Sequence, residues 1–154
     1  MRREVVLACC VVAVASSVNA STVNVRRAKV QMVSAVAARA ACVTVETACT
    51  RFDAVELYCD CAAKGDDWAP RVKIDVQPRM YVTSMDYVVH EFSHLFDFKN
   101  AMKRHGDEIE SHSFPTLSAC ESFIGASRQK FPEALSSFRR DSMKLRDHEQ
   151  ASGR

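Results

Sequence analysis

Residues 84–102, SMDYVVHEFSHLFDFKNAM, form a stretch in which apolar side chains recur every three or four residues, with no glycine or proline. This periodicity predicts one long helix. Thr83 and Asp86 have the spacing of a capping box at its start, and Gly106 is the residue type best suited to end it. The apolar positions are Val88, Val89, Phe92, Leu95, Phe96, Phe98 and Met102. Because these positions cover a broader stripe than a surface helix needs, we expect the helix to be buried through the middle of a domain.

This predicted helix carries two histidines, His90 and His94, four residues apart. Side chains at this spacing project from one face, so both imidazoles can bind a single zinc ion. Glu91 directly follows the first histidine and is in the position of a general base for a zinc-activated water. The pattern is short, and roughly one shuffled copy of this chain in a hundred would contain it. The helical context therefore carries most of its weight.

Residues 88–96, VVHEFSHLF, resemble the metal-binding helix of the zincin metallopeptidases, which is also uncharged around its ligands. The resemblance implies that His90 and His94 are zinc ligands and that Glu91 is the general base. The metzincin branch requires a glycine and a third histidine shortly afterwards, whereas this chain continues with LFDFKN over residues 95–100. The resemblance is therefore to the gluzincin-like branch, in which a glutamate of a following helix is the third ligand.

A catalytic zinc site has three protein ligands and one open position, so the histidine pair needs a third ligand. Our choice is Glu121, in a helix predicted over residues 114–130. It lies close to the apolar face of that helix, where a carboxylate is costly unless it is paired or bound to a metal. A capping box with Ser118 is the alternative role for Glu121. Other candidate ligands lie in the polar stretch between the two helices, and they are His112, Glu108, Glu110 and Asp107.

The N-terminal segment has the features of an export signal. Residues 1–3 give it a basic start, residues 5–18 are mostly apolar, and residues 18–20 (VNA) end in the small-x-small form that a signal peptidase accepts. The apolar run is too short for a membrane anchor, which needs about 20 residues. We therefore predict a signal peptide over residues 1–20 and a secreted or periplasmic protein.

The remaining chain has the length of one domain. Cleavage after Ala20 leaves 154 − 20 = 134 residues, which we divide into a zincin-like domain over residues 21–150 and a tail over residues 151–154. The formal charge of the whole chain is +2, and the basic residues are scattered along it. This balance indicates neither a nucleic-acid partner nor stable membrane insertion after signal cleavage.

Five cysteines follow the signal segment, which in an exported protein predicts two disulfides and one further thiol. Cys59 and Cys61 lie two apart in a strand-like run, so their side chains share one face and a bond between them is not expected. The preferred pairs are Cys42 with Cys49, and either Cys59 or Cys61 with Cys120. A structural zinc site built from Cys59, Cys61, Cys120 and a histidine is the less favoured alternative.

The other segments predict the scaffold. Residues 24–41 have apolar side chains at helical spacing and predict a packing helix. Residues 54–61 and 72–76 alternate apolar and polar side chains and predict two strands, joined by a turn at residues 64–67, with Pro78 marking an edge or the end of the second strand. A last helix is predicted over residues 132–149. The predicted fold is therefore α+β, a helix-rich single domain with a small antiparallel hairpin next to the histidine-bearing helix.

These features together predict a secreted zinc metallopeptidase that acts on a peptide or protein substrate with Zn²⁺ as its cofactor. In this mechanism Glu91 accepts a proton from the attacking water and returns it to the leaving amine. Two alternatives stay open. One is a zinc amidohydrolase that acts on a cell-wall component, and the other is a non-catalytic, exported, disulfide-containing binding module.

Overall fold

The structure is a computed structural model that describes residues 21–42 and 48–152, with side chains up to residue 138. The predicted signal segment, residues 1–20, lies outside the described residues. The elements, in chain order, are β1 (Thr22–Val25), β2 (Lys29–Met32), α1 (Ala35–Cys42), β3 (Ala48–Lys64), β4 (Asp67–Val82), α2 (Asp86–Glu110) and α3 (Leu117–Ser152). Three helices and a four-stranded sheet form a single α+β domain, which confirms the predicted fold class.

The centre of the fold is a long antiparallel hairpin of β3 and β4, which pair from Ala48 with Val82 to Lys64 with Asp67. At its turn Gly65 has a φ of +63°, in the left-handed region that favours glycine. On β4 the even-numbered side chains face the core, and Val72, Ile74, Val76, Met80 and Val82 are buried. The alternation predicted for residues 54–61 and 72–76 is confirmed, and both strands are longer than predicted.

The second edge of β4 is occupied by β1 and β2, which pair with it in parallel, one after the other. β1 pairs with residues 73–76 and β2 with residues 79–82. Pro78 lies in the gap between them, where its missing N–H costs no ladder hydrogen bond, and β3 has a bulge opposite it. The prediction that Pro78 marks an edge or the end of the strand is therefore wrong. The gap between β1 and β2 on one side and the bulge in β3 on the other allow a proline in this central strand.

The prediction of a helix over residues 24–41 is also wrong. Only Ala35–Cys42 is helical, and the residues before it form β1 and β2. The apolar side chains of this segment have a helical spacing, but hydrogen bonds from β4 decide its conformation, as tertiary pairing often overrides local propensity.

α2 packs on the inner face of the sheet. Phe98 is fully buried and stacks on Phe52 of β3 with ring centroids 3.8 Å apart. At the start of α2, Ser84 Oγ accepts a hydrogen bond from the backbone N–H of Asp86. The predicted capping box of Thr83 and Asp86 is not formed. At the other end the helix continues through Gly106 to Glu110. The prediction that the helix ends at Gly106 is therefore wrong. Gly106 instead allows α2 to approach Ser21 closely, because a Cβ added at this position would lie 2.7 Å from the Cβ of Ser21.

α3 is one continuous helix of 36 residues, although two helices were expected on either side of Pro132. It runs antiparallel to α2, since Phe131 stacks on His105 and Phe138 contacts Phe98. Phe114, predicted to begin a helix, instead forms a β-bridge with Trp68. Aromatic packing against α2 therefore holds both halves of α3 in one helix despite the proline.

Two disulfides confirm the preferred cysteine pairs. Cys42 bonds Cys49, which ties α1 to β3, and Cys61 bonds Cys120, which ties β3 to α3. Cys59 is a buried free thiol, and burial raises its pKa against the opposing effect of Arg128. Disulfides of this kind fit an extracellular protein. Within residues 21–42 and 48–152, no helix combines the length and hydrophobicity needed to span a bilayer.

Candidate functional site

The two histidines of α2 meet as their spacing predicts. The Nε2 atoms of His90 and His94 lie 3.0 Å apart, and the two rings are nearly perpendicular with centroids at 4.7 Å. The helix itself creates this proximity, because residues four apart lie one above the other on the same face. His90 is exposed and His94 is half-buried, so the pair is open to solvent on one side.

This separation fits two ligands of one metal ion. Zinc–nitrogen bonds of about 2.0–2.1 Å at a tetrahedral angle place two ligand nitrogens about 3.3 Å apart. The observed 3.0 Å between the two Nε2 atoms is close to this value. The rings therefore need only a small adjustment of their side-chain torsions to chelate zinc.

Glu91 completes a group of three potential ligands. One nitrogen of each histidine and one carboxylate oxygen of Glu91 all lie within 4.8 Å of one another, the one such group among the described residues. The side chain of Glu91 is buried, with 1% of the residue exposed. A carboxylate that is desolvated in this way needs compensating interactions, and it is held beside the histidines rather than free to sample solvent.

Thr50 of β3 supplies one of these interactions. Its hydroxyl lies 2.7 Å from Oε2 of Glu91 and 3.2 Å from the carbonyl oxygen of the same residue. This contact could not be predicted from local patterns, because Thr50 lies 41 positions before Glu91 and outside the strand predicted from residue 54. Only the register of β3 on the sheet brings its hydroxyl under α2.

The environment of α2 differs from that predicted. Val89, Phe92 and Phe96 are exposed, so the first half of the helix is not buried through the middle of the domain. The physical reason is that this half lies on one face of a single sheet, which covers the side that carries Glu91 and leaves the opposite side open.

The structure does not bring Glu121 to the histidine pair. Glu121 is exposed on α3, next to Cys120, whose disulfide with Cys61 holds it near the turn of the β3–β4 hairpin. Thr50, which contacts Glu91, pairs at the other end of that hairpin. Pro70 and Met80, the β4 partners of Cys61 and Thr50, are ten positions apart, which is about 33 Å along the strand. The Cys61–Cys120 disulfide thus anchors Glu121 at the far end of the sheet from the histidine pair.

The alternative ligands also lie away from the pair, at the C-terminal end of α2. His112 packs against Phe123, with ring centroids 4.4 Å apart, and its Nδ1 is 3.0 Å from the carbonyl oxygen of Glu108. Along the helix axis, Asp107 and Glu110 are about 25 Å and 30 Å from His90. Of the predicted site residues, the structure therefore unites His90, Glu91 and His94 and separates the others from them.

Comparisons with known proteins add no relative to this picture. A scan against family models, a search of curated proteins and a search of solved structures each found no match for this chain.

Proposed function

We propose that His90 and His94 bind a zinc ion as its two protein ligands among the described residues, one fewer than the sequence led us to expect, and that the protein is a zinc-dependent hydrolase of peptide bonds, with Glu91 as its general base. Two observations carry the proposal. The two Nε2 atoms lie 3.0 Å apart, and one nitrogen of each histidine lies within 4.8 Å of a carboxylate oxygen of Glu91. The pattern of residues 90–94 supports the same chemistry through its resemblance to the zincin helix.

Each protein group has a distinct part in this proposal. When bound, zinc would polarise both a water molecule and the substrate carbonyl. Glu91 accepts the proton of the attacking water and delivers it to the leaving amine. Thr50 holds the carboxylate in place through its hydrogen bond, so that the base meets the water in one orientation. A fixed base is the more effective one, because no part of the barrier is spent on orienting it.

The open side of the pair favours a polymeric substrate. His90 is exposed to solvent, so an extended peptide or a protein loop can approach. An amide of a cell-wall component is a second substrate with the same reacting group.

We also propose that the protein works after export. Its two disulfides fit an oxidising compartment, and the sequence of residues 1–20 has the form of a cleaved signal. Cleavage after Ala20 would leave Ser21 as the first residue, immediately before β1.

The first experiment measures the metal content of the purified protein. We expect one zinc per chain, lost in His90→Ala and in His94→Ala but kept in Glu91→Gln. Two control variants sharpen the result. Glu121→Ala and His112→Ala should keep zinc, because both residues lie at the far end of the fold, whereas a zinc centre completed by either residue would lose affinity.

The second experiment measures cleavage of a quenched fluorescent peptide library. Glu91→Gln should lower the rate at least 100-fold, in the range that a general base contributes, while zinc content stays unchanged. A folded wild-type protein without zinc, or a Glu91→Gln variant with full activity, would overturn the proposal.

A further inference from the structure

An exposed apolar stripe runs along the first half of α2. It is formed by Met85, the residue directly before the helix, and by Val89, Phe92 and Phe96. Their exposed fractions are 61%, 79%, 48% and 64%. Exposed apolar residues that are scattered singly need no explanation, but four in a row along three turns of one helix do. Such a stripe marks a contact surface rather than a solvated helix face.

The direction of the stripe follows from contacts further along α2. Lys103 and Asp107, seven and eleven residues after Phe96, lie on the same side of the helix as the stripe. The carboxylate of Asp107 accepts the backbone N–H of Ser21, the residue directly before β1, and the backbone carbonyl of Lys103 lies 3.1 Å from the Ser21 hydroxyl. The stripe therefore faces the edge of the sheet that β1 and β2 form. On that edge Val30 and Met32 of β2 are exposed as well.

The histidine pair is on another side of the helix. At 100° per residue, His90 and His94 are roughly 150° away from the centre of the stripe. A partner on the stripe would leave both imidazoles accessible, so the inference below does not depend on the proposed zinc chemistry.

The stripe also lacks charge. Between Asp86 and Asp97 the helix has a single charged residue, Glu91, and it is buried on the sheet side. Two such surfaces can meet without placing like charges opposite each other, which would cost free energy at an interface.

We propose that the occupant of the stripe is a second copy of this chain, paired through α2 in an antiparallel, two-fold arrangement. The stripe residues are separated by four, three and four positions, a spacing that is the same in both directions. Across a two-fold axis residue i of one copy meets residue j of the other and j meets i, so this spacing brings each stripe residue opposite another stripe residue. It places Met85 opposite Phe96 of the second copy and Val89 opposite its Phe92, with a large side chain next to a smaller one at the centre. The alternation of four and three is also the spacing of a coiled-coil seam.

The area agrees with a dimer. At the observed exposed fractions the four side chains present on the order of 450 Å². Two copies would bury roughly 900 Å² through the stripes alone. Val30 and Met32 add to this area and bring the total to about 1,000 Å², the size at which specific interfaces begin.

The test is the mass of the purified protein in solution, measured by light scattering during size-exclusion chromatography at about 100 µM. We expect a dimer for the wild type. Val89→Asp and Phe96→Asp should each raise the dimer dissociation constant at least about tenfold. Val36→Asp is the matched control, since Val36 is 77% exposed on α1, outside the stripe, and should leave the mass unchanged. Circular dichroism verifies that every variant is folded.

A cross-linking experiment tests the antiparallel geometry. Val89→Cys and Phe92→Cys are made separately, mixed and oxidised, and the mixture should yield a covalent dimer more efficiently than either variant alone. A monomeric wild type overturns the proposal, and so does a dimer that Val89→Asp and Phe96→Asp leave intact. A monomer that sediments with phosphatidylcholine vesicles, in a manner lost in these two variants, would assign the stripe to a membrane surface instead.

Discussion

The hydroxyl of Thr50 lies 2.7 Å from the buried carboxylate of Glu91 and joins the outer strand of the hairpin to the candidate catalytic helix. Thr50→Val keeps the shape of the side chain but removes a hydrogen bond from a desolvated carboxylate. We expect the free energy of unfolding to fall by about 1–3 kcal/mol. Thr50→Ser keeps the hydroxyl and should lose less.

Urea unfolding of the three proteins measures this difference. If the proposed hydrolase activity is found, the rate should fall in the same order, with Thr50→Val the slowest. Equal stability of the valine and serine variants would show that the hydroxyl contributes nothing.

The two disulfides should contribute unequally to stability. Cys61–Cys120 closes a loop with a sequence separation of 59, whereas Cys42–Cys49 closes one of 7. In the chain-entropy model, replacing the long-range pair with alanines costs about 4 kcal/mol and replacing the short-range pair about 2.5 kcal/mol. Thermal or urea unfolding of the two double variants tests the order, and a larger loss for the short-range pair would contradict it.

Two glycines in helices should respond in opposite directions to alanine. At Gly106 a Cβ would lie 2.7 Å from Cβ and Oγ of Ser21 and 3.3 Å from Val72, so Gly106→Ala should cost about 1–3 kcal/mol through overpacking. At Gly125 an added Cβ would meet nothing within 4 Å. Gly125→Ala should therefore increase the free energy of unfolding, by about 1 kcal/mol at most. Melting temperatures of both variants should lie on opposite sides of the wild-type value.

Glu110 should make the stability of the fold depend on pH. Its Oε1 accepts the backbone N–H of Val72 at 2.6 Å, and its Oε2 is buried without a hydrogen-bond partner. Burial raises the pKa of this carboxyl, and the negative charge of Asp107 raises it further. The hydrogen bond from the Val72 amide and the positive charges of Lys103 and Arg71 lower it, but burial has the larger effect. Because the folded pKa is higher than the unfolded one, the stabilising contribution is complete below the ordinary glutamate pKa and is lost as the pH rises through the raised value.

Glu110→Gln removes this titration and keeps an oxygen for the Val72 amide. The free energy of unfolding of the variant, measured relative to that of the wild type, should therefore increase as the pH rises from 4 to 7. Unfolding curves at both pH values measure the gain, and parallel pH profiles of the two proteins would refute the assignment.

The parts of the fold that local patterns predict are those in which one face is buried. β3 and β4 alternate because α2 and α3 cover only one side of the sheet, and α2 has helical periodicity for the same reason. β1 and β2 carry no such signal, since their conformation depends on hydrogen bonds from a strand far along the chain. Gly106 has two possible roles, and the choice between a helix stop and a close contact depends on Ser21, 85 positions away.

In the candidate site, too, the local contacts were predictable and the contacts between distant parts of the chain were not. The meeting of His90 and His94 is a local property of a helix, and it follows from their spacing alone. Thr50 is brought to Glu91 by strand register. Glu121 is kept away from the pair by the disulfide of Cys120, for which the sequence predicted Cys59 or Cys61 as the partner but not the position on the sheet. The spacing therefore predicted that the two histidines meet, but it could not predict which residues surround them.

The parallel strands at the N-terminus set an order of events in biosynthesis. Thr22 pairs with Lys73, and Met32 pairs with Val82, so a ribosome must add some fifty residues before either strand has its partner. The hairpin joins neighbouring segments and can form early, whereas contacts so distant in sequence form slowly. The newly made N-terminal strands therefore remain without sheet partners until β4 has been synthesised, and any chaperone requirement of this protein should be concentrated in that interval.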